Sequence, residues 1–171
     1  TIMMTRIKLS VFVAVMALFT LTSCLKDDPW TDWSQLKSPI ELPYSSHFLR
    51  KTRVKVGDQV TFDLMVNYTI PDQKNMVEDI PVELAVDANL IDSFNDYYGT
   101  SYQLLPSSCY TMPEVIIKKG VRLWEQDFVV NTAGLEAGKR YILPIIIKSV
   151  PSNYLISGNF GVVYLRIDMA A

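Results

Sequence analysis

Hydrophobic and polar positions alternate along most of the chain beyond residue 40. The clearest run is Gln59–Ile70, which follows Gly57-Asp58 and ends at Pro71-Asp72, two pairs typical of turns. A period of two indicates a strand with one buried face and one solvated face. The buried face of this run is expected to carry Val60, Phe62, Leu64, Val66 and Tyr68.

The same pattern predicts further strands. Residues 45–55 are expected to form the strand before the Gly57-Asp58 turn, with Phe48 as a candidate core residue. Other strands are predicted at residues 80–86, 115–119, 122–130 and 160–169. Residues 141–150 are almost continuously apolar, which is expected of a central strand covered on both faces.

One segment, Asp87 to Gly99, has a different period. Its apolar residues recur at intervals of three and four, as in an amphipathic helix: Leu90, Ile91, Phe94, Tyr97 and Tyr98. Asp87 is a candidate N-cap and Gly99 a candidate for the residue after the helix. We expect a short helix that crosses from one strand to the next and lays its apolar stripe on the β-structure.

Together these segments predict an all-β fold of about seven strands with one short crossover helix. An Ig-like antiparallel β-sandwich gives every strand one core face and one solvated face, as the alternation requires. A closed barrel would produce the same alternation, so both architectures are compatible with the sequence.

The first 24 residues have the layout of a bacterial lipoprotein signal. Arg6 and Lys8 precede the apolar run Leu9–Leu21, which has the length of a secretory signal and is too short for a typical membrane span. The small residue Ser23 directly precedes Cys24. We therefore expect residues 1–23 to be a signal peptide and Cys24 to be lipidated, so that acyl chains attach the protein to a membrane. An uncleaved anchor helix is the alternative.

Residues 24–39 are predicted to be the lipidated N-terminus and a tether, and residues 40–171 the folded domain. Lys26, Asp27 and Asp28 resemble the surface-export signal of Bacteroidota lipoproteins. The resemblance implies an outer-membrane location facing the cell exterior. A solvated, charged tether is the other interpretation of these three residues.

Charge makes nucleic acid an unexpected partner. The chain has 16 basic and 18 acidic residues, a formal net charge of −2, and loss of the signal would also remove Arg6 and Lys8. Its main basic cluster is Arg50–Lys55. The alternation there indicates the solvated side of a strand, and a site for polyanions is the alternative.

The residues required for catalysis or metal binding are scarce. His47 is the only histidine, and with Cys24 acylated Cys109 has no disulfide partner. Cys109 is expected to be a small buried hydrophobe, with a reactive thiol as the alternative. Asp87, Asp92 and Asp96 lie around the helix without EF-hand spacing, and a calcium site there is the alternative interpretation. We expect no cofactor, no metal site and no enzymatic activity.

Aromatic residues are the best candidates for ligand binding. Tyr97, Tyr98 and Tyr102 cluster around the end of the predicted helix, and Trp30 and Trp33 lie in the tether. Tyrosine and tryptophan rings can stack on the apolar C–H faces of sugars. An aromatic stripe at helical spacing is also what a core helix shows, so the tyrosines could instead be buried.

Several segments, in this order, resemble one known family: Val82–Asp87, Phe94–Asn95, Tyr102–Pro106 with Tyr110, Val115–Gly120 and Tyr141–Ile145. It is the N-terminal Ig-like domain of Bacteroidota surface lipoproteins, found in glycan-utilisation loci, and the resemblance covers about residues 40–168. It implies an Ig-like sandwich and a role in capturing or processing glycans at the cell surface. Members often carry a further C-terminal module, whereas this chain stops at Ala171.

Our sequence-based hypothesis is therefore a non-catalytic, lipid-anchored cell-surface module for glycan binding or acquisition. Its expected partners are a membrane, through the acyl chains, and a polysaccharide or other glycan-uptake proteins. The main alternative is a structural spacer or a pilus-like adhesion module that contacts other proteins. A small enzyme is a third hypothesis.

Overall fold

The alternating segments form the strands of two β-sheets that share one hydrophobic core. The computed structural model describes residues 37–43, 49–69 and 77–171, which belong to one unit, Ser34–Ala171. In chain order, the elements of these residues are β1 Pro39–Glu41, β2 Arg50–Val54, β3 Gln59–Tyr68, β4 Ile80–Val86, α1 Leu90–Tyr98, β5 Gln103–Leu104, a 3₁₀ turn Ser107–Cys109, β6 Val115–Ile117, β7 Leu123–Asn131, β8 Arg140–Ser149, β9 Leu155–Ile156 and β10 Val162–Met169.

One sheet has four strands and the other has six. The four-stranded sheet has the order β7-β3-β1-β9. The six-stranded sheet follows the path β2-β10-β8-β4-β6, and β5 adds to it by pairing with β8. Two separate sheets confirm the all-β sandwich and decide against the barrel. The long pairs are antiparallel, whereas β1–β9, β2–β10 and β5–β8 are short parallel pairs.

Burial follows the predicted period. On β3, Phe62, Leu64, Val66 and Tyr68 are at most 5% exposed and face the core. On β10, Val163, Leu165 and Ile167 face the same core. These inward faces stabilise the fold because each buried aliphatic or aromatic side chain removes apolar surface from water.

β8 is the central strand of the six-stranded sheet and is covered on both faces at its N-terminal half. Tyr141, Leu143 and Ile145 face the core between the sheets, while Ile142 packs in a second cluster on the outer face. The helix α1 contributes to that outer cluster. This double cover explains why residues 141–150 form a nearly continuous apolar run.

Several element boundaries differ from those predicted. β2 is shorter than residues 45–55, and Phe48 lies outside the described residues. The short strands β1, β5 and β9 were not predicted, because two or three residues are too few to show a period. The predicted end of β3 at Ile70 is also late, since the strand ends at Tyr68.

The helix begins later than its predicted cap. Asn89, rather than Asp87, occupies the N-cap position and makes no capping hydrogen bond with its side chain. Asp87 lies two residues before the N-cap. Its Oδ1 accepts hydrogen bonds from the backbone N–H and the side-chain amide of Asn89. Gly99 ends the helix as expected, with φ of 59°, a left-handed conformation that favours glycine.

Candidate functional site

The candidate site lies on the outer face of the six-stranded sheet, where α1 crosses β8 and β10. Ile91 and Phe94 of the helix pack with Tyr102 and Ile142, and Tyr164 of β10 is partly buried against them. The apolar stripe of the helix therefore lies on the sheet, as predicted, through Ile91 and Phe94.

The stripe continues beyond the part that the sheet covers. Tyr97 is 81% exposed and Tyr98 is 42% exposed. The ring of Phe94 packs against the rings of Tyr98 and Tyr164. The distances between ring centroids are 4.6 Å to Tyr98 and 4.8 Å to Tyr164. Tyr97 meets Tyr98 edge to face at 4.7 Å. We call Tyr97, Tyr98 and Tyr164 the aromatic surface.

Asn95 fixes the chain that leaves the helix. Its Oδ1 accepts hydrogen bonds from the backbone N–H of Tyr102, at 2.8 Å, and from the hydroxyl of Thr100, at 2.9 Å. Its Nδ2 donates to the carbonyl oxygen of Tyr102 at 2.9 Å. One amide side chain thus satisfies both backbone groups of Tyr102 and turns its ring inward.

The three tyrosines predicted as candidates consequently have different environments. Tyr102 is only 4% exposed, so its ring does not face solvent and we leave it out of the aromatic surface. Its ring packs edge to face on Phe94 at 6.0 Å. Tyr97 and Tyr98, in contrast, present ring area to solvent. The expectation of a buried stripe holds for Tyr102 and is wrong for Tyr97 and Tyr98.

A charged group adjoins the buried side of this cluster. The Tyr102 hydroxyl donates to Asp168 Oδ1 at 3.0 Å, and Arg50 donates from Nε to Asp168 Oδ2 at 3.1 Å and also from Nη2. Arg140 Nε lies 4.0 Å from the same Oδ2. Burial, reinforced by Asp168, raises the pKa of Tyr102, and the Asp168 hydrogen bonds raise the pKa of Arg50.

Tyr164 connects the aromatic and charged parts. It is followed two residues later on the same face of β10 by Arg166, whose guanidinium carbon lies 5.8 Å from the centroid of Phe94. Burial raises the pKa of Tyr164, and Tyr98 and Asp87 add to the effect. The phenol of Tyr164 is therefore neutral at physiological pH.

Tyr164, Arg140 and Arg166 were not predicted as site residues. A signal for Tyr164 existed: a large aromatic residue stands on the polar side of the last strand, opposite Val163 and Leu165. Such a residue indicates that another element covers the outer face. No sequence signal placed Arg140 beside Asp168, because that contact depends on the pairing of β8 with β10.

The remaining candidates lie elsewhere. Cys24, Lys26, Asp27, Asp28, Trp30, Trp33 and His47 are outside the described residues. Cys109 is 5% exposed and is a free thiol in the core, as expected of a small buried hydrophobe. Within residues 37–43, 49–69 and 77–171, no three His, Cys, Asp or Glu side chains are grouped to hold a metal ion. Nor does any helix of these ranges have the length and hydropathy to cross a bilayer.

Carboxylates also approach each other on the four-stranded sheet, on strands β3 and β7. Asp63 and Asp127 are directly opposite in the pairing of these strands, and Glu125 lies nearby on β7. These three side chains line a shallow hollow together with Met65 and Gln126. The hollow is open, whereas glycosidase chemistry places its two carboxylates on either side of a bound sugar.

Comparison with protein families gives one match. A family model for an N-terminal domain matches residues 39–153, which is more than half of the chain. No curated protein matches the chain.

Three solved structures illustrate the similarity in fold. A Bacteroides ovatus protein to which carbohydrate binding has been ascribed is 20% identical with a TM-score of 0.62, over 78% of this chain and 37% of that one. A two-domain Bacteroides fragilis protein of unknown function is 16% identical with a TM-score of 0.59, over 78% and 46%. EndoBT-3987 of Bacteroides thetaiotamicron, solved with a Man5GlcNAc product, is 18% identical with a TM-score of 0.52, over 77% and 30%.

At these identities the similarity establishes the fold alone. The chain spans less than half the length of each of these three proteins.

Proposed function

The chain belongs to the N-terminal-domain family whose model matches residues 39–153, as its sequence motifs indicated, and from this membership we propose that it is a non-catalytic, lipid-anchored module that binds glycans at the cell surface. Two of the similar structures are connected with saccharides by name, one through carbohydrate binding and one through a Man5GlcNAc product. They favour a glycan-related role for this domain.

The observation that carries the proposal is the exposure of Tyr97 and Tyr98. Domains of this size bury most large apolar side chains, and a cluster of exposed rings marks an interaction site. A tyrosine offers a flat apolar face and a polar hydroxyl, which matches a sugar with C–H groups on one face and hydroxyls at its edge. Phe94 holds Tyr98 in place, so little side-chain entropy is lost on binding.

The surface is open rather than enclosed. An open platform can bind an extended polysaccharide at an internal position, because the chain can enter and leave along the sheet face. An open platform suits binding better than hydrolysis, because a glycosidase places an acid and a base on opposite sides of the bound sugar.

The membrane attachment in the proposal depends on the sequence of the N-terminal segment. A lipidated Cys24 would hold the domain at a membrane through acyl chains, and Lys26, Asp27 and Asp28 would direct it to the outer surface. The aromatic surface would then be displayed to polysaccharides outside the cell.

Affinity electrophoresis tests the glycan-binding part. The protein is run in native gels that contain a neutral mannan or polygalacturonate, beside the Tyr97→Ala/Tyr98→Ala variant. We expect at least one polymer to retard the wild type and the double variant to bind at least about tenfold more weakly, since two stacking rings are lost. Phe160→Ala is the matched control, because Phe160 is a 45% exposed aromatic residue outside the helix.

Two results would contradict this proposal. If the double variant is retarded as strongly as the wild type, the tyrosines do not form the binding site. If no polymer retards the wild type, the domain does not bind these glycans, and the alternative of a spacer or adhesion module gains support.

A further inference from the structure

We infer that the saccharide bound by the aromatic surface carries carboxylate groups, as a uronic-acid polymer does, and that Arg50 and Arg140, which lie next to Arg166 in the sheet, bind them. The inference rests on the proposed function, since it names the class of glycan for the same face of the molecule. It goes beyond that function because a neutral glycan would need no cationic neighbour.

The three arginines come from three strands that are adjacent in the six-stranded sheet. Arg166 of β10 is paired with Arg50 of β2, and Asp168 of β10 is paired with Arg140 of β8. Directly opposite residues share a face of a sheet. All four side chains therefore project from the outer face, the face on which α1 lies.

Positive charge exceeds negative charge in this group. Two guanidinium groups, those of Arg50 and Arg140, lie at one carboxylate, Asp168, whose oxygens already accept hydrogen bonds from Tyr102 and Arg50. The side chain of Asp168 is 14% exposed, whereas those of Arg50 and Arg140 are 41% and 47% exposed. The anion is thus covered while the cations remain accessible to solvent.

The arginines are continuous with the aromatic surface. Arg166 lies over the ring of Phe94, and Phe94 contacts Tyr98 and Tyr164 directly. A sugar ring stacked on Tyr98 or Tyr164 would accordingly have cationic groups beside it along the sheet. Tyr102 links the two parts, because its ring packs on Phe94 and its hydroxyl binds Asp168.

The chemistry of these groups favours a carboxylated sugar. Guanidinium groups present parallel N–H donors that match the planar carboxylate, and arginine stays charged at every physiological pH. The whole chain has a formal net charge of −2, so the positive region is local. A local cluster beside aromatic rings fits single charged sugars along a chain better than the closely spaced phosphates of a nucleic acid.

A direct test compares the binding of polygalacturonate with that of its fully methyl-esterified form. The two polymers have the same backbone, and esterification removes the charge of the carboxylates. In native affinity gels we expect the protein to bind polygalacturonate and to bind the ester about fivefold or more weakly. Arg140→Gln should weaken binding to polygalacturonate by a similar factor and leave binding to the ester unchanged. Arg140 is chosen because it is exposed and makes only a long contact with Asp168.

Lys118→Gln is the matched control, since it removes one positive charge from an exposed lysine paired with Asp79 at the other end of the sheet. Dextran sulfate distinguishes a carboxylate from a general polyanion site. Equal binding of polygalacturonate and its ester, no effect of Arg140→Gln, or stronger binding of dextran sulfate than of polygalacturonate would each overturn the inference. In the first two cases, binding that still depends on Tyr97 and Tyr98 would leave the proposed function intact. Failure of all polymers to bind would overturn both.

Discussion

The tyrosine side chains of this domain differ widely in their surroundings, and the pKa of Tyr154 is the most strongly shifted. Burial and the hydrogen bond that its hydroxyl donates to Glu78 at 2.9 Å raise its pKa to about 12. The hydrogen bond from Asn153, together with the one from Tyr154, lowers the pKa of Glu78. The ring of Tyr154 meets Tyr68 edge to face at 5.5 Å. The folded state therefore favours the neutral phenol.

This shift predicts alkaline destabilisation. Because the unfolded phenol has an ordinary pKa of 10.0, the stabilisation is complete below pH 10 and is lost as the pH rises toward 12. Tyr154→Phe keeps the ring and removes the titrating group. The urea midpoint of the variant should fall less steeply than that of the wild type between pH 10 and 12.

Tyr97→Phe serves as the control, because its 81% exposed side chain changes its surroundings little on unfolding. Equal slopes for the Tyr154→Phe variant and the wild type would show that this phenol does not titrate differently in the folded state.

Among the elements, α1 determines the site because it carries Tyr97 and Tyr98, two of the three residues of the aromatic surface, and ends shortly before Tyr102. The position of Gly99 at its C-terminal end requires a positive φ of 59°. A Cβ at this position would have no other atom within 4 Å, so a side chain would be strained only by the backbone conformation.

Gly99→Ala is therefore expected to lower the free energy of unfolding by about 1 kcal/mol, through the cost of a left-handed alanine. Chemical denaturation measures this directly. Gly158→Ala is the matched control, because Gly158 also has free space for a Cβ but no positive φ, and the substitution should be close to neutral. An unchanged stability for Gly99→Ala would contradict the strained conformation at this helix end.

The sequence predicted strands and helices well where a periodic pattern extended over many residues. β3, β4, β8 and α1 each contain enough residues for alternation or helical spacing to be recognised. The sequence could not show which aromatic side chains of the helix would be buried. Phe94 and Ile91 are covered by the sheet, while Tyr97 lies about 60° around the helix from Phe94, on the uncovered side. The direction from which the sheet approaches is tertiary information.

At the scale of the whole molecule, the arginine group illustrates what a sequence pattern cannot reveal. Arg50 and Asp168 are separated by 118 residues and meet only because β2 adds to the edge of β10. The sequence did single out Arg50 as part of a basic cluster with a polyanion site as an alternative. Its partners Arg140 and Arg166 lie far from it in the sequence, so only strand pairing brings the three into one group.

The proposed attachment to a membrane also concerns the whole molecule. Alkyne-palmitate labelling in a Bacteroides host should give a labelled wild type and an unlabelled Cys24→Ala variant, because the thioether would form only at Cys24. Cys109→Ala is the matched control and should keep the label, since Cys109 is 5% exposed in the core. Label that persists in Cys24→Ala would contradict lipidation at this residue.

The most direct test of the central claim is a carbon-13 NMR titration of the tyrosine rings with soluble oligogalacturonate and mannooligosaccharide. The chain has nine tyrosines, so each ring can be followed once its signal is assigned by substitution. Our account predicts that the Tyr97 and Tyr98 signals shift in a saturable way with at least one saccharide, while those of the buried Tyr68 and Tyr141 stay in place. Unchanged Tyr97 and Tyr98 signals at saturating concentrations of both, or shifts confined to other tyrosines, would contradict it.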